Sequence, residues 1–157
     1  MARREKQVTE KISVMRSGFR LVYCLAAFLF FLCGMAIYTF FRDSNFLLFR
    51  IFPKPPFLDN LYIPVKTSSV LILFLIYNLP DGLWFLSGLM IIRAVWAGNN
   101  KWRIIYSGIF FLMALLLEVF QFSGCIPGTF DIFDIITMIL FAFAEGAVCN
   151  IFFMKRI

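Results

Sequence analysis

The feature that most limits what this chain can fold into is a succession of long apolar runs, separated by short stretches that hold most of the Lys, Arg and Pro. The runs cover residues 17–41, 81–96, 104–122 and 131–153, with a further apolar stretch at 68–77 before the second. A helix needs about 20 apolar residues to cross a bilayer. Of the 157 residues, 62% are hydrophobic, whereas a soluble domain is typically about half apolar. The pattern predicts one all-α, polytopic membrane domain with four transmembrane helices.

The apolar stretch before the second span is interrupted by Asn78-Leu79-Pro80-Asp81-Gly82. Pro80 removes a helical hydrogen bond and biases Leu79 away from helix. Residues 68–96 therefore read either as one kinked helix or as a short re-entrant or interfacial half-helix followed by a span. The second reading is preferred, because it puts Pro80 and Asp81 at a helix start, where both are favoured. Residues 42–66 mix Pro53, Pro55, Pro56 and Pro64 with many aromatic and aliphatic residues. They read as an outer loop lying on the membrane surface.

The formal net charge of +6 is a topology signal rather than a nucleic-acid footprint. Residues 1–16 carry Arg3, Arg4, Lys6, Lys11 and Arg16, the 96–103 turn is flanked by Arg93 and carries Lys101 and Arg103, and the last residues include Lys155 and Arg156. By the positive-inside rule these segments are cytoplasmic, which puts both termini inside and the 123–129 turn outside. The outer loop, with Arg42, Arg50, Lys54 and Lys66, is the exception. The partners implied are membrane lipids or a larger membrane protein complex, with no nucleic acid. The 17–41 run is too long for a cleaved signal peptide's apolar region.

The chain has no His, which removes the commonest general base and metal ligand. Cys24, Cys33, Cys125 and Cys149 form no CxxC pair, so neither a zinc nor a redox motif is present, and no cofactor is expected. Cysteines within the apolar runs read as small core residues.

Between long apolar runs, Glu118, Asp131 and Asp134 account for three of the nine acidic residues. The topology puts Glu118 and Gln121 at the end of the third span, Asp131 and Asp134 at the start of the fourth, and Asn78 and Asp81 at the outer end of the second. Residues three apart share a helix face. Glu145 follows Asp134 by three helical turns on the same stripe, where a carboxylate must be paired, protonated or hydrated. Helix-start dipoles and capping account well for Asp131 and Asp134. They account poorly for Glu118, a carboxylate at a helix C-terminal end. The expected site is an outward-facing polar pocket made of Glu118, Gln121, Asp131, Asp134, Asp81 and Asn78, able to take a lipid-linked intermediate, a hard cation or protons. No catalytic residues are assigned.

At these residues the chain resembles the VanZ-like family of small bacterial membrane proteins. Glu118 and Gln121 match that family's helix-ending element. Pro127, Gly128, Thr129 and Phe130 match its turn, Asp131 and Asp134 its helix start, and Asn78, Pro80 and Gly82 an earlier element. The family often has Arg in the turn, whereas here Gly128 leads straight to Thr129. The resemblance spans about Asn78 to Glu145 and implies a multi-pass protein of the bacterial inner (cytoplasmic) membrane, linked to the cell envelope. A competing expectation is an accessory or structural subunit of a larger membrane complex.

Three further readings complete the set. Trp84, Trp96 and Trp102 are expected to anchor span ends at the interface. Gly82, Gly88, Gly108 and Gly146 are expected at close helix crossings. Arg93 is expected to snorkel towards the headgroups.

Overall fold

The computed structural model describes residues 2–41, 61–126 and 130–154, with side chains described over 17–41, 61–126 and 130–148. Most of the outer loop and the Pro127, Gly128 and Thr129 turn lie outside the described residues, as do the side chains of the basic N-terminal stretch and of the last residues. The described elements are helical: α1 (Ala2–Phe41), α2 (Val70–Tyr77), α3 (Leu79–Val95), α4 (Asn100–Phe122) and α5 (Ile132–Met154). Two of these are long and apolar enough to cross a membrane, the Ser17–Phe41 part of α1 and the whole of α4. A third joins them if the bent pair α2–α3 is one span. The pattern is that of a helical membrane protein.

The apolar boundary at Ser17 is the one read from the sequence, but the α1 helix does not begin there. It continues back through the basic stretch to Ala2. At about 1.5 Å per residue it is about 60 Å long, roughly twice the hydrocarbon thickness.

α3 is the centre of the fold, and each of the other helices packs on it. Its buried residues, Pro80, Gly82, Leu83, Phe85, Leu86, Ser87, Leu89 and Ala94, run all round the helix, as expected of an element enclosed by its neighbours. In lipid, apolar surface alone does not drive helices together, so close packing and polar contacts must. Two glycines of α3 supply that closeness. A Cβ on Gly82 would collide with Thr137 and the Phe141 ring of α5, and one on Gly88 with the Phe110 ring of α4. Gly34 of α1 does the same, since its Cβ would come within 2.5 Å of Trp84 Nε1. Gly108 and Gly146 meet open space instead. They lie off the crossings, so for them the packing role is corrected.

The α1 contact stripe is Tyr23, Ala27, Gly34 and Tyr38, at helical spacing on one face. Tyr38 lies flat on Trp84, with ring centroids 4.6 Å apart and planes 11° apart, and Phe31 stacks on the same indole at 6.2 Å. Trp84 is therefore a helix-contact residue rather than an interface anchor. Trp96 and Trp102 gather with Tyr106 around the α3–α4 turn, at centroid distances of 5.1 to 6.0 Å. On the α4–α5 side, Phe85, Leu89 and Met138 form the core, covered by Phe110, Phe111, Ala114 and Ala142. Cys24 and Cys33 are exposed on α1 rather than in the core, because each lies one residue, about 100° of helix, off a stripe residue.

Residues 68–96 hold two helices rather than one continuous helix, a form that a broken span and a re-entrant half-helix share. The two meet at Asn78 at a bend of 42°. The Asn78 amide closes α2 by donating to the Phe74 carbonyl at 2.9 Å, and the Asn78 carbonyl opens α3 by accepting from Gly82. Pro80 sits in the first turn of α3, where its missing N–H costs nothing. α2 has one buried residue, Ile76.

Candidate functional site

The four ends of helix that meet near Asn78 carry the polar residues picked out in the sequence. Asn78 stands at the bend, and its side-chain nitrogen donates to Asp131 Oδ2 at 2.8 Å and to Asp134 Oδ1 at 2.9 Å. Asp131 precedes α5 and caps it, accepting from the Phe133 amide at 2.9 Å through its other oxygen. Asp134, in the first turn, is buried at 8% exposure. One Asp131 oxygen caps the helix, and the other faces Asn78.

Glu118 is the residue on which the site turns. α4 is exposed along nearly its whole length, and its one fully buried side chain is this carboxylate, 6% exposed. The Asp131 backbone N–H donates to this carboxylate, and the Asp134 and Asp131 carboxylates are its charged neighbours. Its Oε2 is buried with no hydrogen-bond partner among the described residues. A buried polar atom left unpaired costs about 1–3 kcal/mol, and more when charged. A sequence that tolerates this near a helix end gains nothing from it in packing.

Asp81 lies on the other flank of α3. It accepts from the Tyr38 hydroxyl at 2.8 Å, which ties the end of α1 to the start of α3. Just beyond Tyr38, the Phe40 carbonyl accepts from the Ile63 amide at 2.7 Å, so the chain re-enters at the same end. Tyr38 was not legible as a site residue, because a tyrosine near a span end reads as an interface anchor. Gln121 is half-buried, and among the described residues no side-chain hydrogen bond joins it to the cluster. It shares the helix face expected of it without reaching the network. No group of three or more acidic or Cys side chains is gathered to hold a metal ion among the described residues.

A second polar centre sits further along α3. Arg93 donates to Glu145 Oε2 at 2.5 Å, and its Nε faces the other oxygen of the same carboxylate. Both side chains are largely buried, at 13% and 7% exposure. Arg93 therefore does not snorkel to the headgroups. A buried carboxylate one helix away holds it in a fork that matches guanidinium geometry. Depth counting finds this pair. Arg93 lies 12 residues after Asp81 and Glu145 lies 11 after Asp134, so on parallel helices each is about 17 Å from the Asn78 end.

No protein-family model, curated protein or solved structure matches the chain. The reading of its function therefore rests on the residues and their geometry.

Proposed function

We propose that this chain is a small multi-pass protein of the bacterial inner membrane, of VanZ-like type, whose carboxylate cluster binds the polar head of a lipid-linked envelope intermediate. In this reading α5 supplies the fourth span beside α1, α2–α3 and α4. Both termini are cytoplasmic, and the cluster faces outward at headgroup depth. Buried carboxylates in a membrane domain are costly, and they mark sites more often than they serve as filler. The observation that carries the proposal is Glu118. It is the buried side chain of an otherwise exposed helix, it is set against Asp131 and Asp134, and its Oε2 lacks a partner. The bend at Asn78 supports it too, since broken helices in membranes commonly end at binding sites. Of the ligands that carboxylates accept, a hydrogen-bond-donating head is favoured over a metal ion, because the described carboxylates are not drawn into a metal-sized group.

Native mass spectrometry of the chain, extracted gently from its own membrane, tests this. The expected result is a lone chain retaining a lipid that Asp134→Asn no longer holds, with expression unchanged. Asparagine keeps an acceptor for Asn78 and removes the charge. A partner at fixed stoichiometry with no retained lipid would replace this reading with an accessory-subunit role. The apolar, exposed surface of α4 would then be the contact face.

A further inference from the structure

Donor bookkeeping at the cluster narrows the kind of head group it takes. An amide side chain has two N–H donors, and Asn78 spends both, one on Asp131 and one on Asp134. The Tyr38 hydroxyl is spent on Asp81. The Phe133 amide, which would otherwise be free at the start of α5, is spent on Asp131. The other buried orphan near this end of α3, Trp84 Nε1, is a donor, but it is wedged against Gly34 on the α1 flank. Among the described residues these donors are taken, and the buried acceptor left without a partner is Glu118 Oε2.

Each ligand chemistry meets that acceptor differently. A phosphate or carboxylate would bring acceptors to acceptors. The helix N-terminus that might have held it is already capped by Asp131. A hard metal ion needs several oxygen ligands drawn round it, and among the described residues no such group is gathered. A hydroxyl would satisfy the oxygen and leave the charge. A primary ammonium carries three donors and a positive charge, so it satisfies Glu118 and balances a carboxylate at once. The cost of an unpaired charge in a poorly solvated place makes the second effect the larger one.

We infer that Glu118 and Asp131 together seat the primary ammonium of an amine-bearing head group. The inference rests on the ligand-site reading above and specifies the group that enters. The ammonium has two sources, a lipid headgroup or a soluble amine, and both offer the same N–H donors.

The test uses the full chain in nanodiscs of equal mixtures of phosphatidylethanolamine, phosphatidylcholine and phosphatidylglycerol, with retained lipid read by native mass spectrometry. The first lipid has the charge and the N–H donors, the second the charge without donors, and the third hydroxyls without the charge. The expected result is roughly tenfold enrichment of phosphatidylethanolamine over both others, lost in Glu118→Gln. Added ethanolamine that displaces the lipid makes a soluble amine the source. Lipid that resists displacement makes the headgroup the source, and either outcome upholds the ammonium seat. Equal retention of the three lipids by the wild-type chain, or preference for phosphatidylglycerol, overturns the inference without need of any variant. If a lipid is retained and lost in Glu118→Gln with no headgroup preference, this inference fails and the ligand site stands. If no lipid is retained and added ethanolamine does not bind either, the ligand-site reading fails with it.

Discussion

The contact between α3 and α5 is pinned at two polar points, and they are built on opposite principles. At the far point a single guanidinium meets a single carboxylate: Arg93 donates to Glu145 Oε2 and ion-pairs through Nε with Oε1, which makes no hydrogen bond but has its counter-charge beside it. At the near point Asn78 divides its two donors between two aspartates, and a third carboxylate, Glu118, stands beside them with an oxygen unmatched. Both points use carboxylates from one stripe of α5. The first arrangement balances its buried charge and holds helices in register. The second is stable enough to form but has capacity left over, and unused capacity in a buried place is what a ligand site requires. Burial and charge alone would not have separated the two, since Glu118 and Glu145 are about equally buried. The partners separate them.

The largest effect expected is at the closed point. Arg93→Met should destabilise the chain by about 3–5 kcal/mol, because it leaves Glu145 buried without its cation. The double variant Arg93→Met with Glu145→Met should recover most of that loss, since a buried pair exchanged for apolar residues is often neutral. Thermal unfolding in detergent reads both. A single variant no worse than its double would erase the distinction drawn between the two points.

Gly34→Leu comes next, at about 2–3 kcal/mol from overpacking of α1 on the Trp84 face. The same measurement should show near-neutrality for Gly108→Leu, which faces open space. Equal losses at both would mean that α1 does not approach α3 as described. At the open point, Asn78→Ala removes two hydrogen bonds of the kind worth about 0.6 kcal/mol each inside membranes. Its cost should be near 1–2 kcal/mol, well below that of Arg93→Met.

The smallest perturbation is a label. Cys125 is exposed in the α4–α5 connection, where Ser123 Oγ lies 3.2 Å from its sulfur. With the open point facing outward, an impermeant thiol reagent should modify it in intact cells. Modification confined to permeabilised cells would turn the open point towards the cytoplasm and remove an envelope lipid as its ligand.

Much of this architecture is legible in the chain because hydropathy and helix breakers are local signals. The start of the first apolar run at Ser17, the break at Asn78 and Pro80, and the polar ends of the third and fourth runs all lie within a few residues of their cause. Contacts between helices are not local. Nothing near Arg93 names Glu145, 52 positions away. Its neighbours made snorkelling the natural reading, and only the matched depths of two parallel helices join the pair. Tyr38 and Trp84 were hidden in the same way. Aromatic residues near span ends usually mark the interface, and the glycine that lets this pair stack inside the bundle, Gly34, belongs to a different helix from Trp84. Conversely, the three-residue spacing that grouped Gln121 with Glu118 was a true statement about the helix face. It did not extend to a shared network.

The central claim is that the two ends of one helix contact have separate tasks, and one paired measurement addresses it. Glu118→Gln and the Arg93→Met, Glu145→Met double variant would be compared for retained lipid and for melting temperature, in the same detergent and from the same membrane. The account predicts that Glu118→Gln loses the bound lipid while its melting temperature stays within a few degrees of wild type. It predicts that the double variant keeps the lipid. Loss of lipid in the double variant with retention in Glu118→Gln would reverse the assignment and contradict the account.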